Sequence, residues 1–381
     1  MDKARRWDIF CVIVDNYGDI GVCWRLARQL AAEHGLRVRL WVDDLAAFRR
    51  IWPEIKTGVD TQVCRQVEVR RLAAPFPIVE VADVVIEAFA CALPPSYLAA
   101  MAQRTEKPRW INLEYLSAED WVSECHGLAS PSPSLPLTKH FFFPGFAPRT
   151  GGVLMEKDLA ATRQSFQRDG RAQAAFWQAL GVPPPAAGES RFSLFCYPRT
   201  PAAALFACWQ AQPAPVSCLV PDGCAAEDVA AFFAGTAAVP GRAVTRGSLS
   251  VRILPYLEQD RYDRLLWACD GNFVRGEDSF VRAQWAERPL VWQPYPQADG
   301  AHLRKLDAFL ELYVRDLPAD AAVALADFWR AWSRGEDFGA AWPHFWAQRD
   351  LLERHAGDWA GRLRQNGDLA ANLLRFCADP V

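Results

Sequence analysis

The chain has 381 residues, 51% of them hydrophobic and 23% charged, with a net charge of −3. That is enough chain for two domains with buried cores, and the mixture excludes disordered and fibrous classes. No basic surface argues for nucleic acid or an anionic membrane, and no apolar run is long enough to span a bilayer.

The segment Met1–Trp7 leads directly into a strand, without the apolar region of a signal peptide. That first strand is the apolar run Trp7-Asp8-Ile9-Phe10-Cys11-Val12-Ile13-Val14. Val22, Cys23, Leu26, Ala27, Leu30 and Ala31 then recur at helical spacing. Between them lies Asp15-Asn16-Tyr17-Gly18-Asp19-Ile20-Gly21, a turn at the C-terminal end of a first strand, where an α/β sheet binds ligands. Asp15 and Asp19 stand four apart with no basic residue between them. Fixed carboxylates repel a phosphate from helix N-terminal amides, so this turn is expected to handle protons or capture a cation. An Asp N-cap on a structural turn is the plainer alternative.

Further strands are expected at Leu36–Val42, Asp83–Phe89 and Arg109–Tyr115, with a helix from about Pro95 to Arg104 that opens on proline. This alternation predicts parallel β-α-β units. It breaks at Ser130–Pro136 and at Phe141-Phe142-Phe143-Pro144-Gly145-Phe146, whose phenylalanines are expected to pack under the domain rather than line a partner surface. A helix over Asp158–Leu180 and a linker over Gly181–Gly188 follow. The alternation then restarts with strands at Arg191–Tyr197, Ser217–Val220, Val251–Leu254, Asp270–Val274 and Pro289–Trp292. Helices are expected after Pro201, over Gln259–Ala268 and over Phe280–Glu287. Trp342–Cys377 reads as helical and aromatic-rich, suited to tying two halves together. The eleven cysteines are scattered singly, with no Cys-x-x-Cys pair or zinc spacing. Most lie in apolar runs as small hydrophobes, so a reduced, cytoplasmic location is expected.

A second loop, Arg275-Gly276-Glu277-Asp278-Ser279, also stands between strand and helix, where a diphosphate rests on backbone N–H groups. Gly276 permits close approach, Ser279 can cap the helix, and Arg275 offsets negative charge. Glu277 sits badly beside a diphosphate, so it is expected to face a hydroxyl-bearing part of the ligand or the other domain. An acidic first helical turn favoured by the macrodipole is the competing reading. Tyr256 and Tyr262 flank Gln259, and Phe195 and Tyr197 end a strand; together they can stack on a nucleobase while Gln259 reads its edge.

Four stretches carry a family resemblance: Asp15–Arg25 (DNYGDIGVCWR), Trp110–Trp121 (WINLEYLSAEDW), Arg275–Gln284 (RGEDSFVRAQ) and Gln293-Pro294-Tyr295-Pro296-Gln297. They resemble EarP, the protein-arginine rhamnosyltransferase family that modifies bacterial elongation factor P. The resemblance implies an α/β GT-B fold, with two Rossmann-like domains facing across a cleft. It implies inverting transfer of L-rhamnose from dTDP-β-L-rhamnose to an arginine of elongation factor P, with no metal or other cofactor. The absence of an Asp-x-Asp triplet agrees with this. Donor-site residues would be Phe195, Tyr197, Tyr256, Gln259, Tyr262, Arg275, Asp278 and Ser279, with Gly276 beside them. The acids needed for activity would be Asp15, Asp19 and Glu277, and Asn16, Tyr17, Gly18 and Gly21 would complete the acceptor loop. The expected organisation is an acceptor-binding domain at 1–157, a helix and linker at 158–188, a nucleotide-sugar domain at 189–341, and bridging helices at 342–381.

An arginine guanidinium is a poor nucleophile, because it is always protonated and its lone pairs are delocalised. A carboxylate can hold it bidentately and take its proton as the C–N bond forms. Asp19 is expected to be that base, with Asp15 holding the loop or sharing the guanidinium and Glu277 binding sugar or arginine. The identity of the sugar rests on resemblance alone, so another deoxysugar donor stays open. So does a non-catalytic module that binds a nucleotide sugar or a protein. An NAD-dependent oxidoreductase is disfavoured, since the first turn lacks Gly-x-Gly-x-x-Gly.

Overall fold

The computed structural model describes residues 5–15, 17–198, 200–222, 224–233, 239–336 and 338–378, the side chain of Ala226 excepted. The chain forms two units, Met1–Lys157 with Leu363–Val381, and Asp158–Arg362.

The first unit runs β1 (Arg6–Cys11), α1 (Gly18–His34), β2 (Arg37–Val42), α2 (Leu45–Ile51), β3 (Thr61–Cys64) and β4 (Val67–Arg71). It continues with β5 (Val84–Ala88), α3 (Pro95–Gln103), β6 (Arg109–Leu113), α4 (Val122–Cys125), β7 (Ala129–Pro131) and β8 (Thr138–Phe142). The strands lie in the order β3-β4-β2-β1-β5-β6-β8-β7. Every inner pair is parallel; only β3 and β7, at the two edges, run antiparallel to their neighbours. Parallel strands covered on both faces need near-continuous apolar sequence, and β5 (VVIEA), apolar but for Glu87, is buried along its whole length. Two buried carboxylates in these strands are paired. Asp8 receives both arms of Arg39 at 2.6 Å and the Tyr97 hydroxyl at 2.5 Å. Lys139 and the Trp110 indole both donate to Glu87. Helix α1 ends where Gly35 takes a left-handed φ of 65° and donates its N–H to Leu30 O.

The second unit opens with α5 (Leu159–Arg168) and α6 (Gly170–Ala179), followed by β9 (Ser190–Leu194), α7 (Ala202–Gln210), β10 (Val216–Pro221) and α8 (Ala226–Phe232). Then come β11 (Ala243–Arg246), β12 (Leu249–Leu254), α9 (Gln259–Ala268), β13 (Gly271–Arg275), α10 (Asp278–Trp285) and β14 (Leu290–Gln293). Helices α11 (Ala301–Tyr313), α12 (Ala319–Arg334), α13 (Ala341–Ala347), α14 (Arg349–Gln365) and α15 (Leu369–Ala378) complete the order. The sheet reads β11-β12-β10-β9-β13-β14, parallel except at β11.

Three expectations change. The long helix expected at 158–180 is two helices, because Asp169 leaves helical geometry and caps α6 through the N–H groups of Arg171 and Ala172. The helix expected at 280–287 begins two residues earlier, at Asp278. The stretch 342–377 is three helices, and its last part belongs to the first unit. There Asp368 accepts from Met155 N–H at 2.9 Å, and Arg109 donates to Phe376 O while lying over its ring. The phenylalanine segment packs as expected: Phe142, Phe143 and Phe146 are buried, and Phe142 meets Phe376 edge-on. Leu373 of α15 is fully buried in this unit. Leu373→Ala is therefore expected to cost about 3 kcal/mol, read as a lower urea midpoint.

Candidate active site

In each sheet the strand order reverses beside the first strand of its unit. The chain passes from β1 to β2 and β4 on one side and then places β5 and β6 on the other. In the second unit it passes from β9 to β10 and β12, and then to β13 and β14. Loops leaving the two strands at such a switch point diverge and open a crevice. The acidic turn follows β1, and Arg275–Ser279 follows β13, so both expected loops stand at these points.

The acidic turn closes with the Gly18 N–H on Asp15 O at 2.7 Å, and α1 starts at Gly18. The N-cap is Tyr17, with no side-chain cap bond, so neither aspartate caps the helix in the ordinary sense. Asp19 instead sits in the first helical turn and reaches backwards. One of its oxygens accepts the N–H groups of Val14 and Asp15 at 2.7 and 2.9 Å. Tyr115 adds a side-chain hydrogen bond to the same carboxyl. Tyr115 is itself stacked on Phe89 at 4.6 Å, at a point where Phe89 and Ala90 both take left-handed φ angles. Asp19 is only 2% exposed, and burial raises its pKa above the ordinary carboxylate value, with Asp43 nearby pushing the same way. Asp15 is half-buried, and its Oδ2 would lie 3.0 Å from any Cβ added at Gly18, so that glycine gives the carboxylate room. Tyr17 accepts from Arg50 at 2.8 Å, and Gly21 is buried one helical step on. Asn16 lies outside the described residues. Among the described residues, no group of three or more His, Cys, Asp or Glu can hold a metal ion.

The second cluster is built around Arg275. Its guanidinium lies over the rings of Phe195 and Tyr197 at 4.4 and 4.5 Å, and it donates to Cys196 O at 3.4 Å. Gly276 takes a left-handed φ of 60° and is pinned on both sides. Its N–H donates to Gln293 O at 3.1 Å, and its carbonyl accepts from the Trp292 indole at 2.7 Å. Ser279 does not act as N-cap; it lies inside α10, and its hydroxyl bonds both the N–H and the carbonyl of Arg275. Glu277 is the half-buried N-cap residue, without a side-chain cap bond. Gln259 is buried and donates to Asp278 at 3.1 Å, joining the starts of α9 and α10. Tyr262 meets Phe195 edge-on at 5.7 Å. Burial pushes its phenol pKa well up, and its hydroxyl is buried with no hydrogen-bond partner among the described residues. An orphaned hydroxyl costs about 1–3 kcal/mol, so this one is a natural donor or acceptor for a ligand. Tyr256 is half-buried on the loop before α9.

Phe195, Tyr197, Gln259, Tyr262, Arg275, Gly276, Asp278 and Ser279 thus form one cluster in the second unit. Asp15, Tyr17, Gly18, Asp19 and Gly21 form another in the first. Sequence reasoning missed the supports: Tyr115 and Asp43 beside Asp19, and Gln293, whose side-chain oxygen accepts from Tyr197 N–H and the Thr200 hydroxyl. Tyr115 and Gln293 stood inside stretches already singled out, but nothing in their spacing marks them as second partners of a loop elsewhere in the chain.

The sequence model of the family described as elongation factor P (EF-P) rhamnosyltransferase EarP matches residues 7–378. A protein-arginine rhamnosyltransferase of Pseudomonas aeruginosa is 48% identical over 373 residues, covering 98% of this chain and 99% of that one. Its counterpart in Pseudomonas putida is also 48% identical, over 97% and 98% of the two chains. A solved structure, described as the structural basis for EarP-mediated arginine glycosylation of translation elongation factor EF-P, superposes with a TM-score of 0.71 at 36% identity and covers 98% of both chains.

Proposed function

Because the chain belongs to the EarP family, and is a protein-arginine rhamnosyltransferase of GT-B fold, we propose that it moves L-rhamnose from dTDP-β-L-rhamnose to an arginine of elongation factor P, inverting the anomeric carbon. The observation that carries the donor half is Arg275, a cation lying over the rings of Phe195 and Tyr197 at the end of β13, shortly before α10. A diphosphate leaving group gathers negative charge as the sugar departs, and preorganised donors at that point lower the barrier. Arg275 and the N–H groups opening α10 are such donors. The rings of Phe195 and Tyr262 offer a stacking surface for thymine, and the Tyr262 hydroxyl and Gln259 supply polar contacts.

The acceptor half rests on the acidic turn. A guanidinium approaching Asp19 exchanges a buried, destabilised carboxylate for an ion pair, and its charge is offset where it must attack. As the new C–N bond forms, the nitrogen loses a proton, and Asp19 takes it. A raised pKa makes Asp19 a better proton acceptor than an exposed aspartate. The backbone N–H groups of Val14 and Asp15 and the Tyr115 hydroxyl hold it still. Asp15 shares the guanidinium or keeps the loop in shape, and Glu277 contacts the sugar or the incoming arginine. A single displacement of this kind inverts the sugar.

The test is mass spectrometry of elongation factor P co-expressed with this protein: a deoxyhexose on one arginine supports the reading, and an unmodified factor refutes it. Supplying dTDP-rhamnose alongside other dTDP-deoxysugars separates the donor identity from the arginine chemistry. With leaving-group charge met by Arg275 and α10, turnover in excess chelator is expected to stay within about twofold of the untreated rate. Strict dependence on added magnesium would overturn the metal-free scheme.

A further inference from the structure

Gln167, on α5, grips both helices that carry the donor cluster, at the ends away from it. Its side-chain nitrogen donates to the carbonyls of Trp267 and Ala286, each at 3.1 Å. These are carbonyls of the last turns of α9 and α10, where a helix has no internal partner for them. The oxygen of the same amide accepts from Arg163 at 2.7 Å, which fixes the way the amide faces. Arg163 is in turn ion-paired with Glu287 at 2.5 Å, on the residue where the chain leaves α10 with a left-handed φ of 54°.

The two helices are therefore joined at three levels. Gln259 bonds Asp278 at their N-terminal ends. Asp263 takes two bonds from Arg282 in the middle, at 3.2 and 2.7 Å. Gln167 holds their C-terminal ends. An α-helix is stiff over a length of 10 residues, about 15 Å, so the register set at one end is felt at the other. Gln259 and Tyr262 ride on the start of α9, and Asp278 and Ser279 on the start of α10.

We propose that Gln167 is a positioning residue for the nucleotide sugar: through the carbonyls of Trp267 and Ala286 it sets the register of α9 against α10, and so the spacing of the donor-holding side chains. This rests on the donor assignment made for the second unit. Gln167→Glu keeps the size and the acceptor for Arg163 but offers no hydrogen to either carbonyl. Gln167→Met fills the same volume without charge and lacks all three bonds.

The experiment compares both variants with the unaltered protein in initial-rate kinetics, varying dTDP-rhamnose and elongation factor P separately, at a temperature where melting curves show each protein folded. Binding of dTDP alone is measured by calorimetry. The expected result is a donor KM about three- to tenfold higher in each variant, with dTDP affinity falling in step. The acceptor KM and kcat at saturating donor are expected to stay within about twofold. A donor KM unchanged in both variants, or both KM values and kcat moving together, overturns the proposal. So does failure of both variants to fold, which would make Gln167 a stability residue. If the unaltered protein consumes no dTDP-rhamnose, it is the donor assignment that fails; if it turns over and the variants match it, only the role of Gln167 fails.

Discussion

Asp19→Asn is expected to lower kcat by about 10²- to 10⁴-fold, the usual contribution of a positioned base. Asparagine has the same shape, and its oxygen can still accept the N–H groups of Val14 and Asp15, so the loop should persist while the proton acceptor is gone. The pH dependence carries the same sign. Burial raises the Asp19 pKa, and only the ionised form can act as base. In the unaltered protein kcat/KM is therefore full well above that raised value and lost as pH falls through it, at a higher pH than for an unperturbed aspartate. Stability runs the other way. A carboxyl with a raised folded pKa contributes stability below its unfolded pKa and loses it as pH rises through the folded value. Asp19→Asn should thus melt no lower than the unaltered protein at neutral pH, even as it loses turnover. Asp15→Asn, measured beside it, assigns the pair: normal turnover in Asp19→Asn with a dead Asp15→Asn would exchange their roles.

Arg275→Met is expected to reduce turnover by about 10²- to 10³-fold, the cost of one leaving-group donor. Methionine keeps an apolar stem against Phe195 and Tyr197, so the cluster should stay folded while its cation is gone. Arg275→Lys should recover little of the loss. A lysine ammonium is a compact point charge and lacks the planar face and forked donors of a guanidinium. Calorimetry with dTDP gives the second readout, and weakened binding should accompany the lost rate. Turnover of Arg275→Met within about tenfold of normal would remove Arg275 from the centre of the donor scheme.

Much of the architecture was legible because its strands are short, largely apolar stretches set between segments of helical spacing. β1, β5, β6, β9, β10 and β13 are recognisable from composition alone, and the alternation with helices fixes a parallel sheet. The β3–β4 hairpin was not legible. Its turn places Arg65 and Gln66 at left-handed φ angles of 47° and 66°, where a readable turn carries glycine or asparagine. The break at Asp169 is marked in the sequence by the pair Asp169-Gly170, a capping residue followed by a helix-weakening glycine, but helical spacing on either side masks it. Loop positions of the site residues followed from the motif spacing. What did not follow was that Asp19 bends back to bind the start of its own turn, at Val14 and Asp15, or that Tyr115 arrives from beyond β6 to meet it. Such contacts join residues distant in the chain, and periodicity holds no record of them. Ser279 shows the same limit at short range: a serine at a strand-to-helix junction reads as a cap, yet its hydroxyl closes on Arg275 four residues back.

The first unit is discontinuous, made from residues 1–157 and 363–381, with all of the second unit written between them. The helix α15 is therefore synthesised only after the whole of the second unit. The first unit cannot close its core until Leu373 and Phe376 emerge, at the end of synthesis. The unit whose sequence begins first is thus the one whose last element is made last, and a chain cut short after Arg362 would lack the helix that completes it.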